Sequence, residues 1–178
     1  MTCIIGLETP DGVIMGGDSG SSNGYDHSAT RLKKVFRRGS FLIGYTTSFR
    51  MGQILQYNLD VARQTKKQDD LEYLATSFID AVRDCLKAGG FKKVENEQES
   101  GGTFLVGYKG KVYQVNADFQ VNSSRDGFSA VGCGEDFAKG AMFCNDTLSP
   151  RKRIKKALKA AEHFSNGVYG PYHIIEMK

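Results

Sequence analysis

The chain has 178 residues, of which 40% are hydrophobic, 25% are charged and three are proline, with a formal net charge of +4 at pH 7. This composition is typical of a globular protein and excludes a disordered or fibrous one. The first residues lack the basic and apolar regions of a signal peptide, and no apolar run approaches the ~20 residues of a membrane span. We therefore expect one cytoplasmic domain over residues 1–178 and no membrane contact.

The distribution of charged residues and cysteines argues against a nucleic-acid partner and a bound metal. Six of the nine residues at positions 151–159 are basic. Because no aromatic residues alternate with them to stack on bases, we interpret this run as a solvated helix face, not a nucleic-acid site. The scattered cysteines and histidines predict no zinc site and no cofactor. In a reducing compartment we expect all the cysteines to be small buried residues, namely Cys3, Cys85, Cys133 and Cys144.

Short apolar segments separated by turn residues predict β-strands in the first third of the chain. The turn at residues 10–12 joins the first two strands, since Pro10 presets φ and Gly12 accepts a positive φ. Gly16 and Gly17 are unfavourable inside a strand, so we expect the second strand to end before them. A polar loop is predicted for residues 21–30. The predicted strands are residues 2–7, 13–15, 34–37 and 41–46.

Helices are predicted in two pairs, separated by further strands. The clearest apolar face belongs to residues 71–86, which Asp69 or Asp70 can cap and Gly89 can end. A polar loop is predicted for residues 92–101. Ser149 with the following proline is a typical helix start. The predicted helices are residues 51–63, 71–86, 135–144 and 150–164, and the remaining strands are residues 103–108, 111–116, 128–131 and 172–177.

This order of elements indicates the fold class. Two helix pairs can cover both outer faces of a mainly antiparallel sheet system. The sequence therefore predicts an α+β fold, a four-layer αββα sandwich in which two antiparallel sheets are flanked by helix pairs.

Thr2 becomes the N-terminal residue if Met1 is removed, and its chemistry then changes. A threonine hydroxyl is a weak nucleophile that needs a base, and the α-amine of the same residue, with a pKa of about 8, can serve as one. A nearby ammonium typically lowers the pKa of such an amine by ~1–3 units. A carboxylate must hold that ammonium, and a backbone N–H must face the oxyanion. The candidates are Lys34, Asp18 and the backbone of Ser48.

The spacing of these residues carries a resemblance to a known family. Asp18 follows Thr2 by 16 residues and Lys34 follows it by 32. Together with the segments TCIIGLETPDGVIMGGDSGSS, KKVF and FLIGYTTSFRMGQIL, this spacing resembles proteasome β subunits and the HslV peptidase, which are N-terminal nucleophile (Ntn) hydrolases. VGCGEDFAKGAMF and EHFSNG resemble that family's Gly-Ser-Gly loop and its Asp-x-x-Ser-Gly-Gly turn. The similarity spans nearly the whole chain.

The resemblance implies a catalytic role for several residues. Thr2 would be both the nucleophile and, through its amine, the base. Lys34 would tune that amine, and Asp18 would pair with Lys34. The N–H of Ser48 would occupy the oxyanion position, where the family usually has Gly; Ser is acceptable there if the backbone does not need a positive φ.

The same resemblance places a substrate pocket and two departures from the family. Ser21, Thr46 and Arg50 match positions that line the pocket, and Arg50 would favour an acidic or polar substrate side chain. Cys133 stands where the family has a Ser that contacts the terminal amine, and a thiol is a poorer donor and acceptor. Glu162 replaces an Asp in the neighbouring turn, whereas the Ser of that turn is retained as Ser165. A carboxylate displaced by one methylene can cost about 100-fold in rate.

Three other site hypotheses are weaker. Gly132-Cys133-Gly134 suggests a dinucleotide loop, but Phe137 occupies the third glycine position and no βαβ unit surrounds it. Cys3 as the nucleophile would require the loss of Thr2 and would shift both spacings by one. Cys133 as an active thiol has no His nearby in sequence.

Three functions remain open at this stage. The resemblance favours a threonine endopeptidase that acts on polypeptides inside homo-oligomeric rings, fed by a separate AAA+ unfoldase. A catalytically silent Ntn-fold protein for assembly or binding is the second, supported by Cys133 and Glu162. The third is an Ntn amidohydrolase that acts on small amides. The short chain has few insertions that could form a separate pocket for such a substrate.

Overall fold

Two stacked antiparallel sheets form the centre of the fold, and helices cover the outer face of each. The computed structural model describes residues 1–22 and 25–178. The predicted four-layer αββα sandwich is confirmed.

The strands and helices have the following bounds. The strands are β1 (Ile4–Thr9), β2 (Gly12–Gly17), β3 (Gly20–Ser22), β4 (His27–Ala29), β5 (Val35–Arg38), β6 (Phe41–Tyr45), β7 (Lys93–Glu95), β8 (Gln98–Ser100), β9 (Phe104–Tyr108), β10 (Lys111–Val115), β11 (Val121–Ser123), β12 (Phe128–Val131) and β13 (His173–Met177). The helices are α1 (Phe49–Asn58), α2 (Asp70–Tyr73), α3 (Ile79–Ala88), α4 (Glu135–Phe143) and α5 (Pro150–Phe164). A π-helical segment (Leu74–Phe78) joins α2 to α3.

The strand order follows from hairpins that bring distant parts of the chain together. The first sheet has the order β12-β1-β2-β13 and the second has the order β11-β10-β9-β6-β5. Every neighbouring pair is antiparallel. Two small hairpins, β3-β4 and β7-β8, lie outside these sheets.

Three apolar layers hold the four structural layers together. The layer between the sheets contains Ile4, Met15 and Leu42. A second layer, rich in aromatic rings, packs the second sheet against α1 and α3, and a third packs the first sheet against α4 and α5. Full burial of one such side chain contributes about 1.5–3 kcal/mol, so these layers are the main stabilising term.

The expectation that β2 ends before its glycines is wrong, because both Gly16 and Gly17 pair with β1 and β13 inside the sheet. A Cβ at Gly16 would lie 2.5 Å from Ile154 of α5, and one at Gly17 would lie 2.7 Å from Ile4. The missing side chains let the neighbouring layers approach closely, and this gain in packing outweighs the low strand propensity of glycine.

Both predicted loops contain short hairpins. Residues 21–30 include most of β3 and β4, although residues 23 and 24 of that predicted loop lie outside the described residues. Residues 92–101 include β7 and β8, joined at Asn96 and Glu97, whose φ values of 49° and 66° are typical of a tight hairpin turn. Polar composition concealed these strands, because neither hairpin buries a continuous apolar face.

Helix ends agree with the prediction in part. Asp69 caps α2 by accepting a hydrogen bond from the backbone of Glu72 at 2.8 Å, and α3 ends at Gly89 as predicted. Helix α1 ends at Asn58, five residues before the predicted end at position 63. Ser149 holds the N-cap position of α5, but its side chain makes no capping bond among the described residues.

The cysteines and the basic run at residues 151–159 differ in how well their predicted exposure agrees with the structure. Cys3 is buried and Cys85 is half-buried, but Cys133 and Cys144 are exposed, so the expectation that all four are buried is wrong. The basic run lies on α5 with most of its side chains in solvent, as predicted. In the described part of the chain no helix is long and apolar enough to cross a membrane.

Candidate active site

The β1–β2 hairpin brings Asp18 next to the N-terminus. Its register pairs Ile4 with Gly17, so the residues just beyond the two strands are also neighbours. The backbone N–H of Asp18 donates to the carbonyl of Cys3 at 3.3 Å. In return, the backbone N–H of Cys3 donates to Asp18 Oδ1 at 3.0 Å. The β1–β2 hairpin therefore brings Asp18 into contact with the residue after Thr2, although 15 positions separate Asp18 from Cys3 in the sequence.

Lys34, directly before β5, completes the buried group. Its Nζ lies 3.0 Å from Asp18 Oδ2 and 3.1 Å from Asp18 Oδ1. The same ammonium donates to the carbonyl of Gly20 at 2.6 Å and to Thr2 Oγ1 at 2.9 Å. The side chains of Lys34 and Asp18 are 1% and 0% exposed. The structure thus brings Thr2, Asp18 and Lys34 together.

Two buried charges need further hydrogen bonds, because the loss of hydration costs several kcal/mol per ion. Asp18 receives them from the backbone: Gly20 N–H donates to Oδ2 at 2.8 Å, and Tyr169 N–H donates to Oδ2 at 3.4 Å. Burial lowers the pKa of Lys34, and the charge of Asp18 opposes that shift. The pair is therefore solvated by protein groups in place of water.

Thr2 is 5% exposed and also contacts the loop before α4. Its backbone N–H, which is part of the Met1–Thr2 peptide bond, donates to Cys133 Sγ at 3.2 Å. Thr2 Oγ1 also donates to the carbonyl of Met1. The hydroxyl of Ser165 lies 3.4 Å from the same sulfur. Cys133 and Ser165 are thus grouped with Thr2.

Glu162 is not part of this group. Its Oε1 accepts from the backbone N–H of Gly170 at 2.8 Å, and its Oε2 accepts from the hydroxyl of Tyr172. These two hydrogen bonds, Tyr172 first, lower the pKa of Glu162. The predicted catalytic residue Glu162 thus contacts Gly170 and Tyr172, and the structure does not bring it together with Thr2, Asp18 and Lys34.

Ser48 begins α1 in an extended conformation, with φ −147°, so no positive φ is required of it. The left-handed conformation falls on the preceding residue, Thr47, with φ 64°. The N–H of Ser48 donates to the carbonyl of Thr46 at 2.6 Å. A substrate oxyanion would therefore have to compete with that carbonyl for this donor.

A small cleft opens beside Thr2 and Lys34, lined further by Tyr45, Phe49 and the residues between them. Thr46 belongs to this lining, as predicted, although its hydroxyl also donates to the carbonyl of Thr103 at 2.7 Å. Lys34 Nζ lies 5.6 Å from the centroid of the Phe49 ring, a cation–π distance.

The other two predicted pocket residues have different surroundings. The exposed guanidinium of Arg50 donates to the carbonyl of Gly89 at 3.2 Å, at the end of α3, and Arg50 is not among the residues that line the cleft. The predicted preference for an acidic substrate side chain thus lacks its contact. Ser21 lies in β3, where it pairs with Ser28 of β4.

Sequence reasoning missed the backbone groups that complete the site. The carbonyl of Gly20 and the N–H of Tyr169 both contact the buried ion pair, but a backbone group has no residue-type signature. Phe49 and Tyr45 were also missed, because aromatic residues flanking a strand end are ordinary core residues. Burial, reinforced by the charge of Asp18, raises the pKa of Tyr45 to about 12.

Two of the rival site hypotheses, the dinucleotide loop and the Cys3 nucleophile, find no support in this geometry. Gly132 has φ 104°, and a Cβ there would lie 2.2 Å from the carbonyl oxygen of Thr2, so its loop fits the N-terminal strand and not a dinucleotide. Burial raises the pKa of the Cys3 thiol, which disfavours the thiolate. Over residues 1–22 and 25–178, no group of three or more His, Cys, Asp or Glu side chains is arranged to hold a metal ion.

Comparison with known proteins gives likeness in structure alone. The sequence matches no protein-family profile and no curated protein. The BPH structures of Thiobacillus denitrificans, one of them in complex with epoxomicin, superpose with a TM-score of 0.79 at 16% identity over 97% of this chain and 96% of theirs. HslV from Trypanosoma brucei superposes with a TM-score of 0.66 at 16% identity, over 97% of both chains.

A fourth structure extends this set. The Anbu (Gly-1) mutant from Hyphomicrobium sp. strain MC1 superposes with a TM-score of 0.66 at 15% identity, over 100% of this chain and 82% of that one. Identities this low establish a shared fold and nothing finer. The chain therefore has the αββα fold of the Ntn hydrolases.

Proposed function

We propose that this chain is a threonine peptidase whose nucleophile is Thr2, exposed as the N-terminal residue when Met1 is removed from the single domain at residues 1–178. One observation carries the proposal. The Lys34 ammonium lies 2.9 Å from Thr2 Oγ1 while both oxygens of a fully buried Asp18 hold it in place. The ammonium therefore lies next to the one hydroxyl that becomes a nucleophile when Met1 is lost.

The reaction begins with the Thr2 α-amine, which lies at the present position of the peptide nitrogen. The amine takes the hydroxyl proton as Oγ1 forms a bond to the substrate carbonyl carbon. The carbonyl becomes an oxyanion, and the N–H of Ser48 at the start of α1 is its donor. Collapse breaks the peptide bond, and the amine returns its proton to the departing amine.

Water completes the cycle. The free amine removes a proton from a water molecule, which attacks the ester between Oγ1 and the substrate acyl group. Cleavage of the C–O bond releases a carboxylic acid and restores the threonine hydroxyl. The same amine is thus the base in both halves of the reaction and the acid that protonates each leaving group.

Lys34 and Asp18 have distinct duties in this scheme. The positive charge of Lys34 keeps the pKa of the Thr2 amine low, so that the amine is neutral at working pH, and it stabilises the developing alkoxide. Asp18 keeps Lys34 charged against the effect of burial. Cys133 orients the amine and Ser165 holds Cys133, and Thr46 in the cleft lining contributes to substrate binding.

The substrate and assembly proposed are polypeptides and homo-oligomeric rings, with an AAA+ unfoldase as a further partner and the cytoplasm as the location. The resemblance of the sequence to proteasome β subunits and HslV supports these points. The Thiobacillus denitrificans neighbour in complex with epoxomicin, a peptide epoxyketone, supports a peptide-binding site.

The first experiment measures the intact mass of the untagged protein before and after incubation with a peptide epoxyketone. We expect the loss of one methionine and the gain of one adduct, which requires both the free amine and the hydroxyl of a terminal threonine. Thr2→Ala should lose the adduct, whereas Thr76→Ala, a control on the exposed face of the π-helical segment, should keep it. A trimmed wild-type terminus that takes no adduct contradicts the proposal.

The two alternative functions predict other results. A silent assembly protein would form the same oligomer with Thr2→Ala and wild type, and neither would hydrolyse peptides. A small-amide hydrolase would cleave a short amide faster than a peptide of ten residues or so, whereas a peptidase would show the reverse order.

A further inference from the structure

The segment of residues 169–172, here called the 169–172 segment, lies against Asp18 and the residue after it. The N–H of Tyr169 donates to Asp18 Oδ2 at 3.4 Å. Its carbonyl accepts from the N–H of Ser19 at 2.9 Å. The hydroxyl of Ser19 donates to the carbonyl of Pro171 at 2.6 Å. Three hydrogen bonds thus join the buried carboxylate region to a segment distant in sequence.

The same segment is also held by Glu162 of α5. Glu162 accepts from the backbone N–H of Gly170 at 2.8 Å and from the hydroxyl of Tyr172. A carboxylate that binds two donors fixes both ends of a three-residue stretch, and bonds to charged groups are roughly twice as strong as neutral ones. Glu162 therefore restrains Gly170, the residue that follows Tyr169, and Tyr172 at the end of the segment.

We propose that Glu162 and Tyr172 are positioning residues for the Lys34–Asp18 pair, acting through the 169–172 segment and not by contact with the Thr2 amine. The proposal deepens the proposed peptidase function and rests on it for its catalytic meaning. The contacts form a chain. Glu162 binds Gly170 and Tyr172, the 169–172 segment binds Asp18 and Ser19, and Asp18 binds Lys34.

If the 169–172 segment is loosened, water gains access to the Asp18 carboxylate. Tyr169 supplies one of the donors that replace hydration around Asp18, and the segment covers that oxygen. If the segment shifts, water reaches the carboxylate and the position of Lys34 relative to Thr2 becomes less defined. The charge of Lys34 then acts less strongly on the Thr2 amine, and the pKa of that amine rises towards its ordinary value.

The decisive comparison is Glu162→Asp against Glu162→Ala, with the rate of peptide epoxyketone adduct formation as the readout. Aspartate is one methylene too short to reach both Gly170 and Tyr172, so we expect both variants to lose between about 10- and 100-fold. A carboxylate that acted on the amine directly would make Glu162→Asp as active as wild type, or more so. That result overturns the proposal.

A pH profile separates positioning from a general loss of structure. In Glu162→Ala and Tyr172→Phe we expect the acid limb of the rate profile to move to higher pH, by up to ~1 unit, because the amine becomes more basic. A lower plateau with an unmoved midpoint overturns the proposal. The ionisable side chains in contact with Thr2 or with Lys34 among the described residues include Lys34 itself, Asp18 and Cys133, and these variants alter none of them.

Tyr172→Phe and Glu162→Gln test whether the two residues act as a unit. Glutamine keeps one acceptor oxygen, so we expect Glu162→Gln to recover part of the rate that Glu162→Ala loses. The double variant Glu162→Ala with Tyr172→Phe should be no slower than Glu162→Ala alone, because the hydroxyl has lost its partner. Fully additive losses overturn the proposed unit.

Hydrogen exchange followed by mass spectrometry tests the path without any need for activity. We expect Glu162→Ala to speed exchange in peptides covering residues 165–173 and 17–21, and we expect the control Glu176→Gln, an exposed residue of β13, to leave both unchanged. Unchanged exchange in Glu162→Ala overturns the positioning proposal. Faster exchange together with a wild-type protein that forms no adduct supports the path and contradicts the peptidase function alone.

Discussion

Two ion-pair regions of this molecule have similar geometry and opposite surroundings. Lys34 and Asp18 are 3.0 Å apart with side chains 1% and 0% exposed. Arg83 and Glu99 are 2.6 Å apart, with side chains 40% and 26% exposed, and Lys92 contacts the same carboxylate. Distance alone would rank the second region higher. Solvent reverses the ranking, because water and salt screen an exposed pair and leave a buried one unscreened.

The pKa values of the two regions have different causes. Burial lowers the pKa of Lys34, although Asp18 opposes it. Glu99 has its pKa lowered to about 2 by hydrogen bonds, from Arg83 first and then from Lys92. A buried pair therefore changes the chemistry of its neighbours, whereas the exposed group mainly fastens β8 to α3 and the residues after it.

The largest effect should follow removal of the buried cation. Lys34→Met leaves Asp18 charged, buried and unpaired, so we expect the free energy of unfolding to fall by about 3–5 kcal/mol. The rate of epoxyketone adduct formation should fall by about 100- to 1,000-fold. Denaturant unfolding and intact mass measure the two effects.

Lys33→Met is the matched control for this change, because Lys33 is exposed and lies one residue away. It should alter neither quantity measurably. An equal loss of stability in both variants would remove the distinction between buried and exposed charges.

Replacement of the buried lysine by arginine should have the next largest effect. Lys34→Arg keeps the charge but forces a larger planar group into a closed site, so we expect the adduct rate to fall by about 10- to 100-fold. The reciprocal change Arg83→Lys, in solvent, should leave the adduct rate unchanged. A full rate in Lys34→Arg would mean that net charge, and not the position of the ammonium, sets the reactivity of Thr2.

A double-mutant cycle should give a smaller but more specific effect. Asp18→Asn leaves Lys34 buried without its counter-charge, and the double variant with Lys34→Met removes both charges. We expect the double variant to be less destabilised than the sum of the single variants by about 1–3 kcal/mol, from denaturant unfolding of all four proteins. Simple additivity would show that the two side chains do not stabilise each other.

The smallest effect should come from Glu99→Gln, which removes the exposed anion. The folded-state pKa of Glu99 lies below its ordinary value, so its contribution to stability is present above pH 4.5 and is lost as the pH falls towards about 2. The difference in melting temperature between Glu99→Gln and wild type should therefore shrink over that range. It should also shrink in ~1 M NaCl at neutral pH. A difference that survives both conditions would contradict the exposed, screened character of this region.

Much of the fold was predictable because periodicity and turn chemistry act locally. The hairpin turn at residues 10–12, the Asp69 cap and the end of α3 at Gly89 all follow from nearby residues. The small hairpins at residues 20–29 and 93–100 were not predictable, because polar edge strands resemble loops. The prediction for Gly16 and Gly17 was wrong because these glycines leave room for Ile154 and Ile4 to pack closely against β2. No local sequence pattern reveals such a contact.

The site divides in the same way. Thr2, Asp18 and Lys34 were predicted from the needs of an N-terminal nucleophile and from a spacing that resembles proteasome β subunits and HslV. One hairpin register together with the start of β5 is enough to bring them together. Glu162 and Arg50 were assigned to the site by position in the chain, but their side chains bind Gly170 and Gly89 instead. Long side chains can reach several partners, and local sequence does not choose among them.

The sequence by itself determined which residue types stand near the N-terminus, the order of strands and helices, and hence the αββα architecture. Tertiary structure alone decided that Lys34 is buried, that the carbonyl of Gly20 contacts Lys34 and the N–H of Tyr169 contacts Asp18, and that Cys133 contacts Thr2. The reason is physical: periodicity reports which faces are apolar, but solvation of a charge depends on every layer that closes over it. Those layers come from residues more than 100 positions apart in the chain.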